Sequence, residues 1–136
     1  MAGLMYLIDT NIWLEELLEQ DRSEEVFGFF GRVPSGQLYL TDFSHHSIGV
    51  IFSRLGKMDS FAAFTTDVLL ESAVNLVGLS PSEMALLPTL CKKYGFDFDD
   101  AYQYAIAEIH GLEIVSFDHD FDGTDLGRKE PRDIPA

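Results

Sequence analysis

The chain has 136 residues, nearly half of them apolar, which is enough for one well-buried core and too few for two ordinary domains, so residues 1–136 are expected to form a single domain. Its 23 acidic residues against 9 basic ones give a formal net charge of -14, so the average field repels a polyanion, and a metal cation or a basic protein is the more natural companion. The single cysteine, Cys91, excludes an intramolecular disulfide framework, and no leader or membrane-length apolar run interrupts the pattern; a cytoplasmic protein with no membrane contact is expected.

Residues 4–8 read as an apolar strand that stops at Asp9-Thr10-Asn11, and the spacing of Ile12, Trp13 and Leu17 predicts a helix over 12–18. A second helix over 24–30 ends at Gly31, and "VPSG" then precedes a strand over 37–40. Helices follow over 44–55 and 60–70, with a strand over 74–79. Ser80-Pro81-Ser82-Glu83 supplies a capping serine, a first-turn proline and a glutamate for a helix that runs to Tyr94 and stops at Gly95; Cys91 sits on it as a small buried apolar residue. A helix over 99–110 closes at Gly111 and leads to a strand over 113–117, leaving residues 123–136 as loop with a short edge strand. Alternating strands and helices predict an α/β fold, a three-layer α/β/α sandwich around a mainly parallel sheet.

In such sheets ligands gather at the carboxyl ends of the strands. Asp9, Asp42, Asp118 and Asp120 all follow strands, and Asp97, Asp99 and Asp100 open a helix that leads into the last one. Each has a plain alternative as a helix cap or a turn residue. Carboxylates that do converge repel one another unless they are protonated or share a hard divalent cation, and Mg2+ or Mn2+ among oxygen ligands suits phosphoryl hydrolysis.

"YLIDTNIW" resembles the opening strand and first acidic motif of PIN-domain proteins, small ribonucleases that include VapC-like toxins, and "FDDAYQYAIAEIHGLEIVSFDHDF" is similar to the family's C-terminal signature. The resemblance implies that Asp9, Asp100 and Asp118 are the catalytic, metal-binding residues. Asp120 is a further ligand, Asn11 and Ser116 are supporting polar groups, and Asp99 is a neighbour able to share the role of Asp100. It implies a divalent-metal-dependent endoribonuclease that hydrolyses RNA phosphodiester bonds, a homodimer, and a small antitoxin as partner.

The chain departs from the family at one position. "LTDFSHHSIGVIF" carries His46 or Ser47 where the family has a glutamate, and no Glu occurs between Glu25 and Glu71; Asp42, His45 or His46 are the residues able to substitute. The alternative function is therefore a catalytically impaired PIN-like module that binds RNA or protein without cutting. "DHDFDGTDLGRK" mimics a calcium loop but carries Lys129 where the bidentate glutamate is required. For substrate, a flexible tail bearing Arg128, Lys129 and Arg132 beside Asp118 is the best-placed basic cluster.

Overall fold

The computed structural model describes residues 3–135; Ala136, the last residue of the expected tail loop, lies outside them. Strands β1 (Tyr6–Ile8), β2 (Leu38–Thr41), β3 (Asn75–Val77) and β4 (Glu113–Val115) form one sheet in the order β3-β2-β1-β4. Every pairing is parallel, with Tyr6 beside Leu38 and Glu113, and Tyr39 beside Asn75.

Strand side chains alternate between two cores, which is why β1 is apolar throughout rather than apolar at every second residue. Tyr6 and Ile8 enter one core with Leu38 and Leu40, covered by α1 (Thr10–Leu17), α2 (Ser23–Arg32), α3 (Asp42–Arg54) and α4 (Met58–Thr65). Leu7 and Ile114 enter the other, covered by α6 (Leu87–Tyr94) and α7 (Phe98–His110), which follow the single turn of α5 (Pro81–Met84). This is the expected three-layer α/β/α arrangement. Cys91 is only partly buried, packed against the second core.

The chain steps from β1 outward to β2 and β3, then returns through α5, α6 and α7 to lay β4 on the far side of β1. The winding direction therefore reverses between β1 and β4, and the carboxyl ends of these two strands open a crevice there.

Three local expectations change. The helix expected over 81–94 is broken between α5 and α6, because Pro88 has no N–H to continue the ladder and sits instead in the first turn of α6. The helix expected over 60–70 is α4 followed by a widened π-type turn, Thr66–Leu70, closed by a bond from Glu71 N to Thr66 O. The tail is not a flexible arm: Lys129 N donates to Ile114 O, and Ser116 N donates to Lys129 O, making a parallel bridge to β4 where an edge strand was expected.

Candidate functional site

Asp9 leaves β1 in extended conformation (φ -65°, ψ 154°) and caps α1, so one residue both ends the strand and starts the helix. Its carboxylate is buried and has four donors. Thr10 N (2.7 Å) and Gln103 Nε2 reach Oδ1, while Ser116 Oγ (2.6 Å) and Asn11 Nδ2 (3.3 Å) reach Oδ2. Burial pushes the Asp9 pKa up; the bonds from Gln103, Ser116 and Thr10 oppose it, and the charge of Asp118 adds to it.

Ser116 directly follows β4, and its hydroxyl links the two strand ends by donating to Asp9 and accepting from Asp118 N (2.9 Å). Asn11 crosses the same gap, its Nδ2 reaching Ser116 Oγ and its Oδ1 accepting from Phe117 N (3.2 Å). These contacts hold Asp118 at the mouth of the crevice as the cap of a short 3-10 turn, His119–Phe121, where it accepts from Asp120 N (2.9 Å).

Asp100 arrives from the opposite side in the first turn of α7, where Asp97 caps the helix by accepting from Asp100 N (2.9 Å). Oxygens of Asp100, Asp118 and Asp120 lie within 4.8 Å of one another. Burial pushes the Asp100 pKa up to about 8, helped by a hydrogen bond with Asp120 and the charges of Asp97, Asp118 and Asp120. Asp99 is also raised, by burial and then by Asp97. Asp9, Asp99, Asp100 and Asp118 together line a cavity of about 320 Å³, with Asn11 and Gln103 in its wall.

This donor set fits a hard divalent cation. It is built of carboxylate oxygens that cannot all stay charged unaided, and beside them the amide oxygen of Gln103 is buried without a hydrogen-bond partner among the described residues.

Asp42 does not join the pocket. The helix expected from 44 begins two residues earlier: Thr41 caps α3 and accepts from Ser44 N (2.8 Å), so Asp42 falls in the first helical turn. There its Oδ1 accepts from Tyr102 Oη (2.7 Å) and Phe43 N (2.7 Å), and it opens on a separate hollow with His45 and His46. His45 shares a hydrogen bond with Thr65 Oγ1 (2.8 Å) and stacks on Phe61, while His46 is exposed. Neither histidine lines the acidic cavity; Ser47 does.

The basic cluster is divided as well. Arg128, its side chain only 10% exposed, donates to Asp122, Glu130 and the carbonyl of Ser116, so it braces the fold. Arg132 is 69% exposed and pairs loosely with Glu130 (3.3 Å), and Lys129 is exposed with no side-chain partner among the described residues. Gln103 carries no motif and was missed by sequence reasoning. Its one signal is position: three residues after Asp100, it is the one amide among the buried residues 101–107, one turn along the same helix face.

A family model described as PIN domain matches residues 6–126. The fold is similar to a toxin-antitoxin complex from Klebsiella pneumoniae, with 20% identity over 93% of this chain and 97% of that one and a TM-score of 0.74. It is similar to Mycobacterium tuberculosis VapC20, described as a sarcin-ricin loop cleaving toxin, with 14% identity, 93% and 99% coverage and a TM-score of 0.78. FitAcB from Neisseria gonorrhoeae gives 20% identity, 96% and 100% coverage and a TM-score of 0.72. No curated protein matches the sequence.

Proposed function

Since the chain belongs to the PIN-domain family, we propose that it is a single-domain, divalent-metal-dependent ribonuclease of the cytoplasm, the toxin of a toxin-antitoxin pair. The observation that carries this is the meeting of Asp9, Asp100 and Asp118, from three separate parts of the chain, in one cavity at the reversal of the sheet. Asp100 and Asp118, with Asp120, would hold Mg2+ or Mn2+, and Asp9 would complete the site from within. The cation supplies charge neutralisation at the scissile phosphodiester and makes water a better nucleophile.

The protein's own groups arrange that chemistry. Thr10, Asn11, Gln103 and Ser116 fix both oxygens of Asp9, and the Asp97 cap fixes the start of α7 and with it Asp100. Lys129 and Arg132 are the exposed cations close in sequence to Asp118, and they would take RNA phosphates.

Two protein partners complete the proposal. A groove of about 540 Å³ lined by Trp13, Leu17, Phe30, Phe64 and Val68 has Glu16 and Asp67 at its edge, and the buried Trp13 indole N–H has no acceptor among the described residues. Its chemistry suits a basic, partly apolar antitoxin segment. Exposed Leu86 and Ile109 flank a small apolar hollow between α6 and α7, which supports contact with a second copy in a homodimer.

The test is Mn2+-dependent cleavage of a mixed RNA pool, with folded Asp9→Asn and Asp100→Asn variants alongside. Cleavage by the parent that drops by at least about a hundredfold in both variants is expected. An inert parent would leave a binding module, and equal cleavage by all three would mean a contaminating nuclease.

A further inference from the structure

Gln103 buries an amide inside the most apolar stretch of α7, between Tyr102 and Tyr104, with 4% of its surface exposed. Its Nε2 donates to Asp9 Oδ1. That bond fixes the amide: turned over, Oε1 would face the carboxylate oxygen with no proton between them. In the orientation so fixed, Oε1 is buried and has no hydrogen-bond partner among the described residues.

A buried acceptor without a donor costs about 1–3 kcal/mol, and an apolar side chain of similar volume would avoid the cost. Asp9 is not short of donors, because Thr10, Ser116 and Asn11 also reach it. What Gln103 offers beyond a methionine is an uncommitted neutral oxygen, buried just behind the surface of an acidic cavity that the residue lines. In that cavity Ser47, with no carboxylate, lies close to where the family's glutamate is expected. Groups that orient metal ligands, or accept from the waters of a hydrated ion, contribute to affinity almost as ligands do, and Mg2+ in particular keeps several of its waters.

Building on the cation-dependent reading of this pocket, we propose that Gln103 is a positioning residue of the cation site: Nε2 orients Asp9, and Oε1 accepts a hydrogen bond from the hydration water of the bound divalent ion. The missing glutamate is thereby offset in part by a neutral residue already present on α7.

The test is calorimetric titration of the full chain with Mn2+ alone, comparing the parent with Gln103→Met and Gln103→Glu, and recording melting with and without the ion. Gln103→Met removes both hands of the amide and should weaken Mn2+ binding by about 10–100-fold without lowering the metal-free melting temperature. Gln103→Glu keeps an oxygen and loses the donor; it should bind Mn2+ close to the parent and gain more melting temperature from the ion than the parent does. Equal affinity in Gln103→Met and the parent would overturn the proposal. So would a folded Gln103→Glu that binds as poorly as Gln103→Met, and this arm decides the matter if the methionine variant does not fold. A parent that binds Mn2+ but leaves RNA intact would defeat the ribonuclease function while the affinities still judge Gln103, whereas a parent without Mn2+ affinity removes the role given to Gln103.

Discussion

Asp100 is the residue where folding works against ionisation. Its carboxyl is held at about 8 against an ordinary 3.8, with burial the largest cause, so the folded chain binds a proton that the unfolded chain has released. The stability this group contributes is fully present below its unfolded value and is lost as pH rises toward about 8. Asp100→Asn should therefore melt higher than the parent at the alkaline end, with a flatter decline between about pH 4 and pH 8. Melting curves across that window check it, and parallel slopes would refute it. Apolar periodicity and caps placed Asp9, Asp42, Asp97, Asp99, Asp100, Asp118 and Asp120 at strand ends or a helix start, and only the resemblance to PIN-domain proteins singled out Asp9, Asp100 and Asp118 among them. Gln103 was not legible, since its importance lies in a bond to a residue 94 positions away. Asp42 misled for a similar reason: following a strand does not say whether a side chain turns into the crevice or, as here, toward Tyr102.

Among the elements, the join between α2, the end of β4 and the tail is electrostatic. Glu130 accepts from both Arg22 (2.7 Å) and Arg128 (2.9 Å), and these two guanidinium groups hold its carboxyl down at about 2. A depressed carboxyl stabilises the fold above its unfolded pKa, and that share is lost as pH falls toward about 2. Glu130→Gln should cost roughly 1.5–3 kcal/mol near neutrality and abolish this part of the acid-induced decline. Denaturant titrations at neutral and acid pH measure both effects; an unchanged midpoint would mean that the pairs are idle. The extent of the helices was readable where punctuation is strong, as at Gly95 and Gly111, which end α6 and α7 in the left-handed conformation. The break before Pro88 and the wide turn after Thr65 were not, because the apolar pattern runs straight through both.

For the whole molecule, a charge of -14 means that the proposed RNA substrate would have to be drawn by local cations against the mean field. With Arg128 committed to Asp122 and Glu130, Lys129 and Arg132 remain to do so. Replacing those two with alanine should lower the salt slope of single-stranded RNA binding by about 1.4, at about 0.7 per phosphate contact. Arg128→Ala should instead lower the melting temperature and leave the slope nearly unchanged. Binding isotherms at several salt concentrations separate the two cases. The parallel three-layer architecture was legible from alternation alone, and a short edge strand in the tail was expected, whereas the reduction of that strand to a single bridge at Lys129 was not, since Gly, Pro and charge look alike in a free arm and in a clipped one. That clip has a consequence for self-association. Outer strands carry unsatisfied amides and carbonyls that invite pairing with other chains. Beside β4 the backbone of Lys129 takes up two of these groups, Ile114 O and Ser116 N. A chain cut after Gly127 would keep Asp118 and Asp120 but expose that border as a template for aggregation, so residues 128–135 act as a built-in hem.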